Sequence, residues 1–237
     1  MACGEDGDVV KTIFLDLDNT LLDFDRAEAA ALSKALERAG ITPTADVLER
    51  YHELNAQHWK MLEDGVLTRD QVLTGRFAVL FAELGISASP QEICDCYEHL
   101  LAQEPPRILP GARELLEDLA PRFGVYLASN GASAVQRIRL RNADLTQYFR
   151  GIFISEEMGI DKPKREFFQM CFAAIPDFSR QTALMVGDSL TSDIRGGRNA
   201  GIRTCWYNPD RRTAPPGWEP DEEIARLAEL PALLQRL

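Results

Sequence analysis

Lys11-Thr12-Ile13-Phe14-Leu15-Asp16-Leu17-Asp18-Asn19-Thr20 is a short apolar run that ends in acid. A run of this kind, residues 11–18, reads as a strand buried on both faces, the usual state of a strand inside a parallel sheet. Runs of similar type recur at Val125–Ala128, Ile152–Ile154, Ala183–Val186 and Thr204–Tyr207. Between them lie helical patterns at Ala112–Leu119, Ala134–Arg141, Arg165–Ala174 and Ser192–Ala200. Strands that alternate with helices at this spacing predict an α/β fold with a parallel sheet covered on both faces.

Residues from about Arg26 to Gln103 break that alternation, with helical periodicity and no good strand. Val47, Tyr51, Leu54 and His58 step by four, three and four along one helix face. Ile93, Tyr97, Leu100 and Leu101 form a second stripe. Thr68 with Gln71, and Ser89-Pro90 with Glu92, read as capping-box helix starts. A helical block inserted after the first strand reads as a cap subdomain, and the Pro-rich stretch Glu104-Pro105-Pro106 returns the chain to the sheet. The expected division is a catalytic core of residues 1–24 and 106–237 with a helical cap of 25–105. After Pro209 the sequence reads as loop, then as a short terminal helix near Leu227–Leu237.

Composition narrows the partners. The 237 residues carry 26 Lys and Arg against 37 Asp and Glu, so 26 − 37 = −11. A surface this acidic repels nucleic-acid polymers and anionic lipid, which bind through basic patches. No apolar stretch approaches the roughly 20 residues of a membrane span. The opening Met1–Asp6 has neither a basic nor an apolar signal region, so a cytoplasmic protein is expected. The five cysteines, Cys3, Cys94, Cys96, Cys171 and Cys205, are odd in number and lack paired CxxC spacing. That argues against a disulfide framework and a structural zinc site.

Chemistry gathers where strands end: Asp16-Leu17-Asp18, Ser129-Asn130-Gly131, and Gly187-Asp188 through Asp193. Ligands of open parallel sheets bind beyond the carboxyl ends of the strands, so these clusters should converge on one crevice. Taken singly, each Asp could equally be a helix cap or turn residue. Three carboxylates brought together repel unless a cation lies between them. Ligation by oxygen alone, without His or Cys, points to a hard ion, most plausibly Mg²⁺.

Asp16-Leu17-Asp18-Asn19-Thr20-Leu21, Ser129-Asn130-Gly131, Lys162-Pro163 and Gly187-Asp188-Ser189-Leu190-Thr191-Ser192-Asp193 resemble, in order, the four motifs of the haloacid dehalogenase superfamily. The resemblance implies a Rossmann-like, doubly wound parallel sheet core with an inserted α-helical cap. A narrower resemblance, to pyrimidine 5′-nucleotidases that act on non-standard nucleotides, rests on several further segments. They are Leu22-Asp23-Phe24, Asn55 with Trp59, Thr68-Arg69-Asp70, Ile108-Leu109-Pro110-Gly111, Ser155-Glu156 before Gly159, and Cys205-Trp206-Tyr207-Asn208-Pro209.

By that resemblance Asp16 is the nucleophile and Asp18 the general acid and base. Asp16, Asp188 and the backbone carbonyl of Asp18 are expected to hold Mg²⁺. Ser129 and the amides near Asn130 and Gly131 would bind phosphoryl oxygens. Lys162 would bind phosphate and offset charge on it and on the nucleophile, with Lys164 its nearby rival, and Asp193 would support a ligand or metal-bound water. Asp18 favours phosphoryl transfer, since the dehalogenases of the superfamily lack an acid at that position. Phe24 and Trp59 are candidates to stack on a base. The implied activity is Mg²⁺-dependent hydrolysis of a small phosphorylated metabolite, a pyrimidine nucleotide foremost, by a monomer or dimer. A sugar-phosphate phosphatase or mutase is the alternative within the class, and a non-catalytic phosphate-binding scaffold the alternative outside it.

Overall fold

The computed structural model describes residues 9–237; Cys3 and the opening segment lie outside the described residues. In chain order the elements are strand β1 (Thr12–Leu15), then helices α1 (Phe24–Arg38), α2 (Ala45–Glu63), α3 (Arg69–Leu84) and α4 (Pro90–Gln103). There follow α5 (Ala112–Leu119), β2 (Gly124–Ser129), α6 (Ser133–Asn142), β3 (Gly151–Ile154), α7 (Ser155–Met158), α8 (Arg165–Ala173) and β4 (Ala183–Gly187). A π-helical turn over Leu190–Ile194 precedes α9 (Arg195–Ala200), β5 (Arg203–Tyr207), β6 (Glu222–Ile224) and α10 (Leu230–Leu234).

The chain divides into two compact units. The first comprises residues up to Asp23, Arg107–Ser133 and Ala143–Leu237, and holds a six-stranded sheet in the order β3-β2-β1-β4-β5-β6. Every pairing in it is parallel. The expected α/β parallel fold is therefore present, with one added strand. The sequence pattern of Glu222–Ile224 reads as loop, and its three residues become β6 by pairing with β5.

Alternation along β1 puts Phe14 on one face of the sheet and Ile13 and Leu15 on the other. Phe14 lies 5.8–6.4 Å from the rings of Tyr126, Phe153, Phe168, Phe172 and Phe178, within one buried cluster that α8 closes. At such spacings aromatic pairs add roughly 0.5–1.5 kcal/mol beyond the area that they bury. Gly196 and Gly197 face Phe168 and Thr204 so closely that a Cβ at either would collide, which is why the last core helix carries glycine there. The expected helix over Ser192–Ala200 is split, its first part being the π-helical turn.

The second unit comprises Phe24–Pro106 together with Ala134–Asn142. The residues of α6, read from sequence as part of the core, thus group with the four inserted helices. Within this unit α1 packs on α4 and α2 on α3. The Thr68–Gln71 capping box closes in both directions, and Ser89 caps α4 ahead of Pro90. Tyr51, Phe77 and Tyr97 form an aromatic cluster, with the Arg76 guanidinium 5.2–5.7 Å from each ring. Next to the expected stripe of α2 lies a buried polar residue. Asn55 is buried, donates to Glu28 and accepts from Arg76, so it bridges two buried opposite charges. Such charges are costly unless paired, and Asn55 supplies the missing hydrogen bonds.

Candidate active site

Register brings the site together. Leu15 pairs with Leu127 on one side and Val186 on the other, so Asp16, which follows β1, lies level with Ala128 and Gly187 near the ends of the neighbouring strands. Asp16 N–H still donates to Val186 O at 3.0 Å. The chain then turns sharply. Leu21 and Leu22 N–H both donate to Leu17 O at 2.9 Å, and Asn19 takes the left-handed conformation at φ 55°, which an Asn tolerates better than most side chains.

Lys162 lies at the centre. Its side chain is 1% exposed, and Nζ donates to Asp16 Oδ1 at 2.6 Å, Ala128 O at 2.6 Å and Asp193 Oδ1 at 2.7 Å. An ammonium has three N–H groups, and all three are taken. Burial works against the lysine's charge, but Asp16 and Asp193 outweigh it and hold Lys162 protonated far above its ordinary range. Lys164, its rival in the sequence, is exposed.

Asp193 sits in the π-helical turn, where Oδ2 accepts from Ser189 N–H at 3.1 Å. Both its oxygens therefore serve the protein, and its visible task is to position Lys162. Gly187 makes this possible, because a Cβ at that position would overlap the Asp193 carboxylate.

Asp188 is held from three directions. Its N–H donates to Thr20 Oγ1, and the Thr20 hydroxyl donates back to Asp188 Oδ1, both at 3.1 Å. Its main-chain oxygen accepts from Trp206 Nε1 at 2.8 Å and from Arg212 Nη2 at 3.2 Å. Burial and, next, the charge of Asp193 push the Asp188 carboxyl up to about 7, against the pull of the Thr20 hydrogen bond. Burial also raises Asp16 well above the carboxylate range. Lys162 opposes that rise, while Asp193, Asp188 and Asp18 add to it.

Among the described residues, Asp16, Asp188 and Asp193 bring carboxylate oxygens within 4.8 Å of one another. Carboxylates at this spacing, those of Asp16 and Asp193 buried and that of Asp188 half-buried, with no His or Cys donor in the set, fit a hard divalent cation. Lys162 takes one hydrogen bond at Asp16 Oδ1 and Thr20 one at Asp188 Oδ1, so both carboxylates keep lone pairs for an ion. The Asp18 carboxylate is not part of this set and is half-exposed.

Ser129, expected to bind phosphate, is buried, and its Oγ accepts from Gly131 N–H at 3.1 Å. The Asn130 side chain has a task of its own, apart from the expected role of the backbone amide. It donates to Lys162 O and accepts from Lys162 N–H, both at 2.9 Å, and so fixes the backbone that carries the lysine. Phe24 and Trp59, the proposed base-stacking residues, lie in the helical unit. Each is half-buried beneath a guanidinium, Arg139 at 5.5 Å and Arg69 at 5.6 Å. Sequence reasoning assigned no role to Thr20, Ser189 or Arg212. Their positions inside or near the motifs hinted at involvement, but their partners are set only by the register.

The chain is 40% identical to the HAD-hydrolase YfnB of Bacillus subtilis, over 93% of each chain. It is 40% identical to the pyrimidine 5′-nucleotidase PynA of Streptococcus pneumoniae, over 84% of each. To the pyrimidine 5′-nucleotidase YjjG of Escherichia coli it is 34% identical, over 94% of this chain and 96% of that one. The crystal structure of YfnB bound to magnesium superposes with a TM-score of 0.91, covering 95% of this chain and 99% of that one. Residues 10–201 match the haloacid dehalogenase-like hydrolase family. With the acid-tipped first strand, the buried lysine and the third carboxylate in place, the chain belongs to that family of hydrolases.

Proposed function

We propose that this hydrolase is a Mg²⁺-dependent phosphomonoesterase that acts on nucleoside 5′-monophosphates, pyrimidine ones above all, through an aspartyl-phosphate on Asp16. The observation that carries the reading is the Lys162 ammonium shared between Asp16 and Asp193 with Asp188 alongside. It orients one oxygen of Asp16 and leaves the other for attack. Asp16 and Asp188, with the carbonyl of Asp18, would hold Mg²⁺. The ion supplies neutralisation of phosphoryl charge, without which a carboxylate is a weak nucleophile.

Asp16 Oδ2 attacks phosphorus while the ester P–O bond breaks, and Asp18 gives its proton to the departing alkoxide. Asp18, now a carboxylate, takes a proton from the water that attacks the aspartyl-phosphate. Inorganic phosphate leaves and Asp16 is regenerated. Ser129 and the amide of Asn130 would hold phosphoryl oxygens. Residues 25–105 serve as the cap in this reading, and substrate choice is assigned to it.

The pyrimidine preference draws support from the two nucleotidase relatives. It is tested by kcat/KM with Mg²⁺ for UMP, dUMP and dTMP against AMP, GMP and hexose phosphates. Faster turnover of the pyrimidine nucleotides is expected. Hexose phosphates or purine nucleotides turned over equally fast would leave only a general phosphatase.

A further inference from the structure

The segment that follows β5 forms a clamp. Asn208 is fully buried. Its side-chain oxygen accepts from Arg212 N–H at 3.0 Å, and its amide donates to Arg212 O and to Glu223 Oε1, both at 2.8 Å. One side chain thereby fixes both main-chain groups of Arg212. The Arg212 guanidinium lies 5.4 Å from the Trp206 ring, and its Nη2 donates to the Asp188 carbonyl that Trp206 Nε1 also reaches. Arg212 is nonetheless exposed. Its guanidinium has five N–H donors, and the bond to Asp188 uses one.

The charge count explains why a cation should be held there. The site gathers Asp16, Asp18, Asp188 and Asp193 against Lys162. Lys162 has no N–H left for a ligand, because Asp16, Ala128 and Asp193 take all three. A phosphate monoester arrives with a charge of about −1.5 to −2 at neutral pH. With Asp18 carrying the proton that it will donate, Lys162 and one divalent ion offset Asp16, Asp188 and Asp193, and the charge of the phosphate itself stays unmatched. A guanidinium placed over an indole, on a residue anchored at both main-chain groups, is a preorganised donor for phosphate oxygens.

We infer that Arg212 is a substrate-anchoring residue, held over Trp206 by Asn208 so that its guanidinium meets the incoming phosphate group. The inference rests on the phosphomonoesterase reading but not on the pyrimidine preference, so p-nitrophenyl phosphate and inorganic phosphate are suitable probes. With saturating Mg²⁺, Arg212→Gln should raise both KM for p-nitrophenyl phosphate and Ki for inorganic phosphate by about tenfold or more, the loss of one charge-assisted hydrogen bond. Its kcat should stay within about threefold, since the reacting groups are untouched. Arg212→Lys should recover much of the loss. Asn208→Ala should reproduce part of it with Arg212 still present. Added NaCl should raise KM more steeply in the parent protein than in Arg212→Gln.

An unchanged KM and Ki in Arg212→Gln would overturn the inference. So would a fall in kcat at constant KM, which would reduce Arg212 to a prop for the Asp188 carbonyl. A lysine variant no better than the glutamine one would remove the charge argument. A parent protein that neither hydrolyses p-nitrophenyl phosphate nor binds phosphate would overturn the phosphomonoesterase reading itself. An active parent with an indifferent Arg212→Gln overturns this inference alone.

Discussion

Asp188 embodies a conflict between burial and charge that a bound cation would resolve. Without metal its proton is held up to about pH 7, because burial and Asp193 penalise the ionised form. In the unfolded chain an aspartate releases its proton near 3.9. Between those values the native state binds more protons than the unfolded one, so the Asp188 contribution to stability falls as pH rises from about 4 to 7. A metal ion must displace that proton, so Mg²⁺ affinity should climb with pH and level off above about 7. Titrating the Mg²⁺-induced rise in Tm between pH 5.5 and 8 checks this, and a midpoint independent of pH would refute it. Asp188→Asn should raise the Tm of the metal-free protein at pH 7.5 and abolish the Mg²⁺ response. Asp16 and Asp18 separate by chemistry. Asp16→Asn should eliminate phosphate trapped on acid-quenched protein, and Asp18→Asn should slow turnover by about 10²–10⁴-fold. Equal labelling of the Asp16 variant would dismiss it as nucleophile.

Between elements, the decisive link runs from the end of β2 to the loop ahead of α8. Asn130 joins them through a matched donor and acceptor on Lys162. Asn130→Ala removes both bonds while leaving every charged group in place. It should lower kcat by about 10–100-fold, the usual worth of a supporting contact, with a near-unchanged circular dichroism spectrum. A variant with parental kcat would show that Lys162 is held by its own side-chain contacts alone. This link also marks how far the sequence could be read. β1 to β5 were legible because each is an apolar run bounded by turn or polar residues, and the aspartates were legible because strand ends converge in parallel sheets. β6 was not, since Glu222–Ile224 is stabilised by its neighbour and not by its own pattern. The task of the Asn130 side chain was not legible, because the motif shows a polar residue at a strand end, not which loop lies opposite. Asn55 was invisible as a buried bridge because its partners, Glu28 and Arg76, come from two other helices.

For the molecule as a whole, the chain passes between the two units four times, at residues 23–24, 106–107, 133–134 and 142–143. The helical unit is therefore not a simple insertion. Its last piece, α6, buries Val135, Gln136, Arg139 and Leu140 and follows directly from the Ser129-Asn130-Gly131 loop. A chain in which a short linker replaces residues 24–106 would leave that helix without the rest of its unit. It should be recovered mainly as aggregate, or show a Tm well below that of the whole protein. A monodisperse product with a cooperative transition near the parental Tm would show instead that the sheet unit is self-sufficient. No helix among the described residues is long and apolar enough to cross a membrane.

The missing methyl at position 187 has a bearing on inheritance. Gly187→Ala would pass as one of the mildest exchanges in any genome, and every acidic and basic group of the site would still be spelled correctly. Yet the new methyl would occupy the place of the Asp193 carboxylate, and Lys162 would lose one of its two counter-charges. Turnover should fall by at least about 10²-fold, measurable on p-nitrophenyl phosphate, although the reacting aspartates are intact. Parental activity in that variant would mean that Asp193 can find another seat. Otherwise, descendants of this gene could fall silent while still reading as enzymes, and a census of intact aspartates would count them among the living.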